Sequence, residues 1–200
     1  MTQLKNLTYE DFRKVLSPQH LKELQIIYFA LGFGIFIFTV ILFFIYNTIS
    51  SMVASTDDSQ ILMLSIIHFV LLITCFPLSK YLFENITKGK WISKFVSQNP
   101  GERENAAPEE PAKTFWDRLR TAHIIRLALF EGIALFGLVI CLLAMFDGVM
   151  QIYPVYWVNL TSLFVFGMIL VYNFPSVEKM ETFFREYVQD QSYRLSEKEK

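Results

Sequence analysis

Cysteine is nearly missing from this chain, and so is any site that would hold a cofactor. There are two cysteines in 200 residues, Cys75 and Cys141. Each sits inside a different apolar run, so the expectation is no disulfide, and two isolated thiols make no metal site. No nucleophile–base arrangement, metal-ligand cluster, phosphate-binding glycine loop or dinucleotide fingerprint can be found. The chain is therefore expected to be neither an enzyme nor a carrier of a metal or cofactor. A cleavable signal peptide is not expected either. The N-terminus is polar and amphipathic, with no short apolar segment leading to a small-residue cleavage site. The net charge of −1 gives no reason to expect a nucleic-acid partner.

One further absence is local. The short segments Asn47–Gln60 and Asp147–Ile152 contain Asp57, Asp58 and Asp147 but no Lys or Arg. All 18 basic residues lie elsewhere: before residue 24, between Lys80 and Arg126, and after residue 178. Basic residues mark the cytoplasmic side of a membrane. The two segments are thus expected outside, with both termini and the central loop in the cytoplasm.

What the chain has in abundance is apolar sequence, 53% of it, gathered into four runs: Leu24–Tyr46, Ile61–Phe83, Ile124–Phe146 and Tyr153–Phe174. A helix needs about 20 apolar residues to cross a hydrocarbon core of about 30 Å. Each run is long enough. Twenty Phe, nine Tyr and three Trp suit lipid-facing and interfacial positions. The reading is an all-α, polytopic membrane protein with four transmembrane helices, plus short cytoplasmic amphipathic helices. The lipid bilayer is its first partner, and the bacterial cytoplasmic (inner) membrane its expected place.

Five segments follow from composition. Residues 1–23 form a cytoplasmic N-terminal segment. Within it Thr8 to Leu16 reads either as a short helix lying on the membrane surface or as a frayed tail. Ser17-Pro18 is a helix start, a side-chain cap followed by Pro at the first helical position. Residues 24–96 are the first hairpin with an interfacial stretch around Trp91 and Phe95. Residues 97–113 are rich in Pro, Glu and Asn and read as a flexible cytoplasmic linker. Residues 114–174 are the second hairpin. Residues 175–200 restart at Pro175-Ser176 as an amphipathic helix with Val177, Met180, Phe183, Phe184, Tyr187 and Val188 at helical spacing. That helix is expected on the inner leaflet or packed under the bundle, and a tail follows it.

The two hairpins read as a repeat. Ile26-Ile27 corresponds to Ile124-Ile125 (124 − 26 = 98), and the same offset aligns Ala30-Leu31 with Ala128-Leu129 and Gly34-Ile35 with Gly132-Ile133. It also aligns Phe76-Pro77 with Phe174-Pro175. Both hairpins start inside, so the repeats are parallel. Ala30/Gly34 and Ala128/Gly132 are small-x-x-x-small pairs, which let membrane helices approach closely. The expectation is that spans 1 and 3 cross on them at the bundle centre, and that Pro77 and Pro175 end their helices.

Glu131 is the candidate ion or proton site. It lies about 10 Å into span 3, at about 1.5 Å per residue. Intramembrane acids are costly and usually face the protein. Two roles are open. Burial favours the neutral form of a carboxyl, which suits a proton carrier; the other role is a hydrogen-bonded lock between helices. Arg126 is five residues earlier, about 140° around the helix, and is expected at the inner surface or against Tyr172 and Asn173. His68 and Asn159 lie at similar depth, nearer the outside, close enough to bond each other and to serve as a polar relay, but too far along the axis to meet Glu131 directly.

The run "RTAHIIRLALFEGIALFGLVICLLAMF" resembles the acid-bearing helix of the ring subunit of rotary ATP synthases. In that resemblance Glu131 falls on the ion-carrying carboxylate and Phe136-Gly137-Leu138-Val139 on the downstream motif. It implies proton traffic at Glu131. No span carries the Gly-x-Gly-x-Gly run of that family, and the polar Arg loop is replaced by the long linker. Most of the chain resembles a family of small, uncharacterised bacterial four-helix membrane proteins, through Ile124 to Phe136 and through Pro175 to Lys179. That family implies the fold and no activity. A membrane component that packs with itself or another membrane protein is the leading expectation, with a proton-coupled carrier or channel component using Glu131 as the rival.

Overall fold

The computed structural model of the chain describes residues 9–49, 57–88 and 110–186. They form α1 (Tyr9–Val15), α2 (Pro18–Ile49), α3 (Ser59–Lys88), α4 (Glu110–Phe146), the single turn α5 (Val149–Ile152), a 3₁₀ segment Pro154–Leu160, α6 (Thr161–Tyr172) and α7 (Val177–Phe184). No strand occurs among the described residues. Four stretches are long and apolar enough to cross a membrane: Pro18–Thr48, Ser59–Thr87, Ala112–Phe146 and Pro154–Tyr172. The protein is a multi-pass membrane protein, and these are its spans 1 to 4.

The helix starts follow their local chemistry. Ser17 Oγ accepts the backbone N–H of His20 at 3.3 Å, and Pro18 opens α2. Ser176 Oγ accepts the N–H of Lys179 at 3.3 Å, and α7 begins at the next residue. Between spans 3 and 4 the chain turns at Gly148 with φ 69°, a left-handed conformation that a Cβ would strain. Span 4 then enters as the tighter 3₁₀ segment from Pro154 before relaxing into α6.

Two boundaries differ from the sequence reading. Pro175 does stand in the break after α6, but Pro77 does not end its helix: α3 runs through it to Lys88. Proline removes one backbone donor. The carbonyl left without that donor is Ile73 O, four residues back, and one missing bond does not stop a 30-residue helix. Proline is tolerated within membrane helices. Residues 110–113, read as the end of the linker, are instead the first turn of α4. The rest of the linker, the stretch around Trp91, and Tyr187 and Val188 lie outside the described residues.

Contacts divide the chain into two compact units. One combines residues 1–26, 81–124 and 175–200. Its core is aromatic. Phe12 of α1 stacks on Phe184 of α7 at 4.6 Å between centroids and meets Phe115 edge-on at 5.5 Å. Trp116 is buried under His20, with ring centroids 6.4 Å apart. Glu23 and Arg120 form an ion pair at 3.3 Å. This corrects the expectation for α1, whose apolar Phe12 and Leu16 are buried in protein rather than laid on a membrane surface. Met180 and Phe184 of α7 are buried in the same unit.

The other unit combines residues 27–80 and 125–174. Span 3 is its axis: 44% of the span's most apolar window is buried, against 17% for span 1 and 28% for spans 2 and 4. Span 1 therefore turns most of its side chains outward, Phe29, Phe36 and Phe44 among them. Trp157 joins spans 1 and 4, stacking on Phe43 at 5.4 Å and taking Tyr46 edge-on at 5.1 Å.

Candidate functional site

Span 3 has two unlike faces. Ala134, Gly137, Cys141 and Ala144 recur at spacings of three and four, and all are buried. Ala128, Gly132, Val139, Leu143 and Phe146, at spacings of three, four and seven, lie on the opposite side, and all are exposed. A Cβ on Gly137 would run into Asn159 O and would lie 2.7 Å from Ser162 Oγ and 2.9 Å from His68 Nε2. A Cβ on Gly132 would meet nothing within 4 Å. The helices of this unit close on Gly137.

This corrects the expected packing. Ala30, Gly34, Ala128 and Gly132 do not lie at a crossing of spans 1 and 3; all four are exposed, and a Cβ on Gly34 would also meet nothing within 4 Å. Both rows of small residues are written at helical spacing, and the inward one is the longer. Its partners are polar, which the outward row's are not.

Those partners form a seam across spans 2, 3 and 4. His68 Nδ1 meets Asn159 Oδ1 at 3.1 Å, the bond expected between these two residues. Asn159 Nδ2 donates to Ser65 Oγ at 2.9 Å and to Tyr156 O at 3.0 Å. Ser162 Oγ donates to Asn159 O at 3.1 Å, and Cys141 Sγ approaches Tyr156 O at 3.7 Å. At the seam's end the Tyr156 hydroxyl donates to Asp58 Oδ2 at 2.6 Å. His68, Ser65, Asn159 and Ser162 are all buried. With both amide hydrogens of Asn159 given away, its oxygen is left to accept, so the proton of a neutral His68 sits on Nδ1. Nε2 is closed off beside Gly137, and the His68 ring also lies against the backbone of Ile133 in span 3.

Ser65, Tyr156 and Ser162 escaped the sequence reading, and Gly137 entered it only through the motif Phe136-Gly137-Leu138-Val139. Ser65 is three residues from His68, and Tyr156 and Ser162 are each three from Asn159, so helical spacing alone could have gathered them.

Glu131 and Arg126 stay apart. Arg126 Nη1 donates to Asn173 Oδ1 at 3.2 Å, as expected for the inner end of span 4. Glu131 is half-buried beside the exposed face of Ala128 and Gly132, and it makes no hydrogen bond or ion pair among the described residues. It is not tied to the seam of His68 and Asn159. No group of three or more His, Cys, Asp or Glu capable of holding a metal occurs among the described residues.

No family model, curated protein or solved structure matches the chain.

The seam can lock three helices. His68 presents one nitrogen to the Asn159 amide and packs the other against span 3 at Gly137. The outward face of span 3 can take a further helix, since small residues allow close approach and a carboxyl stands ready to accept or donate a hydrogen bond.

Proposed function

We propose that this protein is a non-enzymatic assembly component of a bacterial cytoplasmic membrane, with both termini inside, and that span 3 is the helix it offers to its partner. The carrying observation is Glu131: a carboxyl inside a span, half-exposed, flanked by the open backbone of Gly132, with no partner among the described residues. A carboxyl left to lipid is expensive, and such residues are normally satisfied by protein. A partner helix seated on Ala128 and Gly132 would cover it. Basic residues confined to one side of the four spans support the orientation. The offset of 98 residues supports an ancestral duplication, and Ala30/Gly34 is the matching outward pair on span 1.

Energy transfer between two differently labelled populations in bilayers tests the self-associating form. Wild type should associate, Gly132→Leu should abolish the signal, and Glu131→Gln should weaken it about tenfold, a loss of about 1.4 kcal/mol within the range of membrane hydrogen bonds. A photo-crosslinker in place of Gly132, used in intact cells, tests for a different membrane partner. No association in bilayers and no crosslink in cells would sink the reading.

The rival, a proton-coupled carrier or channel component, draws on the same carboxyl, since no described residue ties it up. Infrared titration of the Glu131 band against Glu131→Gln separates the two. A band that titrates between about pH 6 and 8, a range burial can produce, together with proton flux in liposomes, would favour the carrier.

A further inference from the structure

A second feature of the membrane unit lies away from the face of span 3, and nothing in it depends on the assembly proposed there. Spans 1 and 4 leave between them an open groove of about 650 Å³. Tyr28, Phe29, Gly32, Phe33, Leu170 and Phe174 line it. Gly32 makes its floor. A Cβ there would stand 3.0 Å from Leu170 Cδ1, so the two spans approach closely beneath the groove while aromatic rings wall it. From Tyr28 to Phe36 the groove follows span 1 over nine residues, about 12 Å in steps of about 1.5 Å.

The groove has a polarity. At one end Tyr28 meets Phe174 edge-on at 6.0 Å. The residue next to Phe174 is Asn173, which takes a hydrogen bond from Arg126 at 3.2 Å. The Arg126 guanidinium is also close enough to Tyr28 to interact with it electrostatically. A permanently charged group with five N–H donors thus lies close to Tyr28 and Asn173, near the inner end of a groove whose own lining residues carry no charge. A guanidinium presents a planar fork that matches phosphate oxygens, and basic pockets between transmembrane helices take anionic headgroups.

We infer that this groove is a binding site for one anionic phospholipid, with an acyl chain laid along Gly32 and Phe33 and the phosphate on Arg126. A lipid tail alone would make the groove ordinary bilayer contact. The charge at its end makes it selective for headgroup, since an anionic lipid keeps net negative charge beside Arg126 and a zwitterionic one does not.

Native mass spectrometry of the purified chain, offered equal amounts of phosphatidylglycerol and phosphatidylcholine with identical tails, reads the selectivity. The expected result is one retained phosphatidylglycerol per chain, preferred about tenfold, the ratio that about 1.4 kcal/mol produces. Arg126→Gln should bring the two lipids to parity without expelling them, and Gly32→Leu should reduce retention of both. Inorganic phosphate should give no shift in thermal unfolding. Parity between the lipids in the wild type would overturn the inference with no need of a variant. So would stabilisation by inorganic phosphate equal to that by the anionic lipid, which would make the site one for a free anion. A Gly32→Leu variant that changes oligomeric state instead of lipid retention would assign the groove to a second copy of the chain.

Discussion

Gly132 and Gly137 are five residues apart on one helix and belong to different worlds. Gly137 is the point where spans 2, 3 and 4 close, with two oxygens and an imidazole nitrogen where a methyl group would go. Gly132 has open space in that position and a half-buried carboxyl as its neighbour. The difference shows what organises a helix bundle in lipid. Apolar side chains are as content in the bilayer as in the protein, so they do not decide which face turns inward. Polar groups do. His68, Asn159, Ser65 and Ser162 can satisfy one another only in the interior, and the glycine that lets them approach is drawn in with them.

The sharpest way to break that comparison is to give each glycine the same methyl. Gly137→Ala must push backbone or the His68 ring aside and should cost on the order of 3 kcal/mol, the upper part of the range for overpacking. Gly132→Ala should change stability by less than about 0.5 kcal/mol, as for open surface sites. Thermal unfolding in one detergent, followed by circular dichroism, measures both. Equal effects would mean that the two faces do not differ as described.

Next in size is the seam itself. Asn159→Ala removes the partner of His68 Nδ1 and of Ser65 Oγ together. It should cost about 2 kcal/mol, given that membrane hydrogen bonds average about 0.6 kcal/mol and three are lost, the third being the one to Tyr156 O. The same unfolding measurement applies. Glu131→Gln on the outer face should leave monomer stability unchanged. A loss there matching that of Asn159→Ala would make Glu131 a lock inside the chain.

Tyr156→Phe is a smaller test, because it deletes only the 2.6 Å bond to Asp58 at the seam's end. About 0.5 to 1 kcal/mol is expected. A double-mutant cycle with Asp58→Ala should give a coupling of the same size; zero coupling would show that the seam stops at Asn159.

How much of this was legible in the sequence varied with the physics behind each feature. The four runs were plain, because only long apolar helices satisfy a backbone in lipid. The caps at Ser17-Pro18 and Pro175-Ser176 were plain because they rest on local chemistry. His68 with Asn159, and Arg126 with Asn173, could be paired by depth along the spans. The inward face of span 3 was not legible. Leu and Phe are distributed around the whole helix, and both rows of small residues have helical spacing. The cue that separates them is the polar residues they face, and these lie on other spans. Pro77 misled for a related reason. It is a strong stop signal in soluble helices, whereas membrane helices tolerate it, and α3 runs through it to Lys88. The aromatic core joining Phe12, Phe115 and Phe184 brings together residues far apart in the chain, and no local pattern announces it.

The smallest effect concerns the two aspartates beside the start of span 2. Asp58 receives the Tyr156 hydroxyl, while Asp57 is exposed and caps the helix start, with its carboxylate on the hydroxyl and the backbone N–H of Ser59, the latter at 3.1 Å. Those two bonds hold the Asp57 carboxyl below its ordinary value of 3.8. Its folded value is the lower one, so its contribution to the helix start is complete above pH 3.8 and is lost as pH falls through the depressed value. The Ser59 amide resonance should follow that loss below pH 3.8, and it should stay flat in Asp57→Asn. The side-chain resonances of Asn159 should not move with it, since the bonds that hold the Asp57 carboxyl low go to Ser59. If they do, the exposed end and the buried seam behave as one unit, and the line drawn between them at Asp58 is in the wrong place.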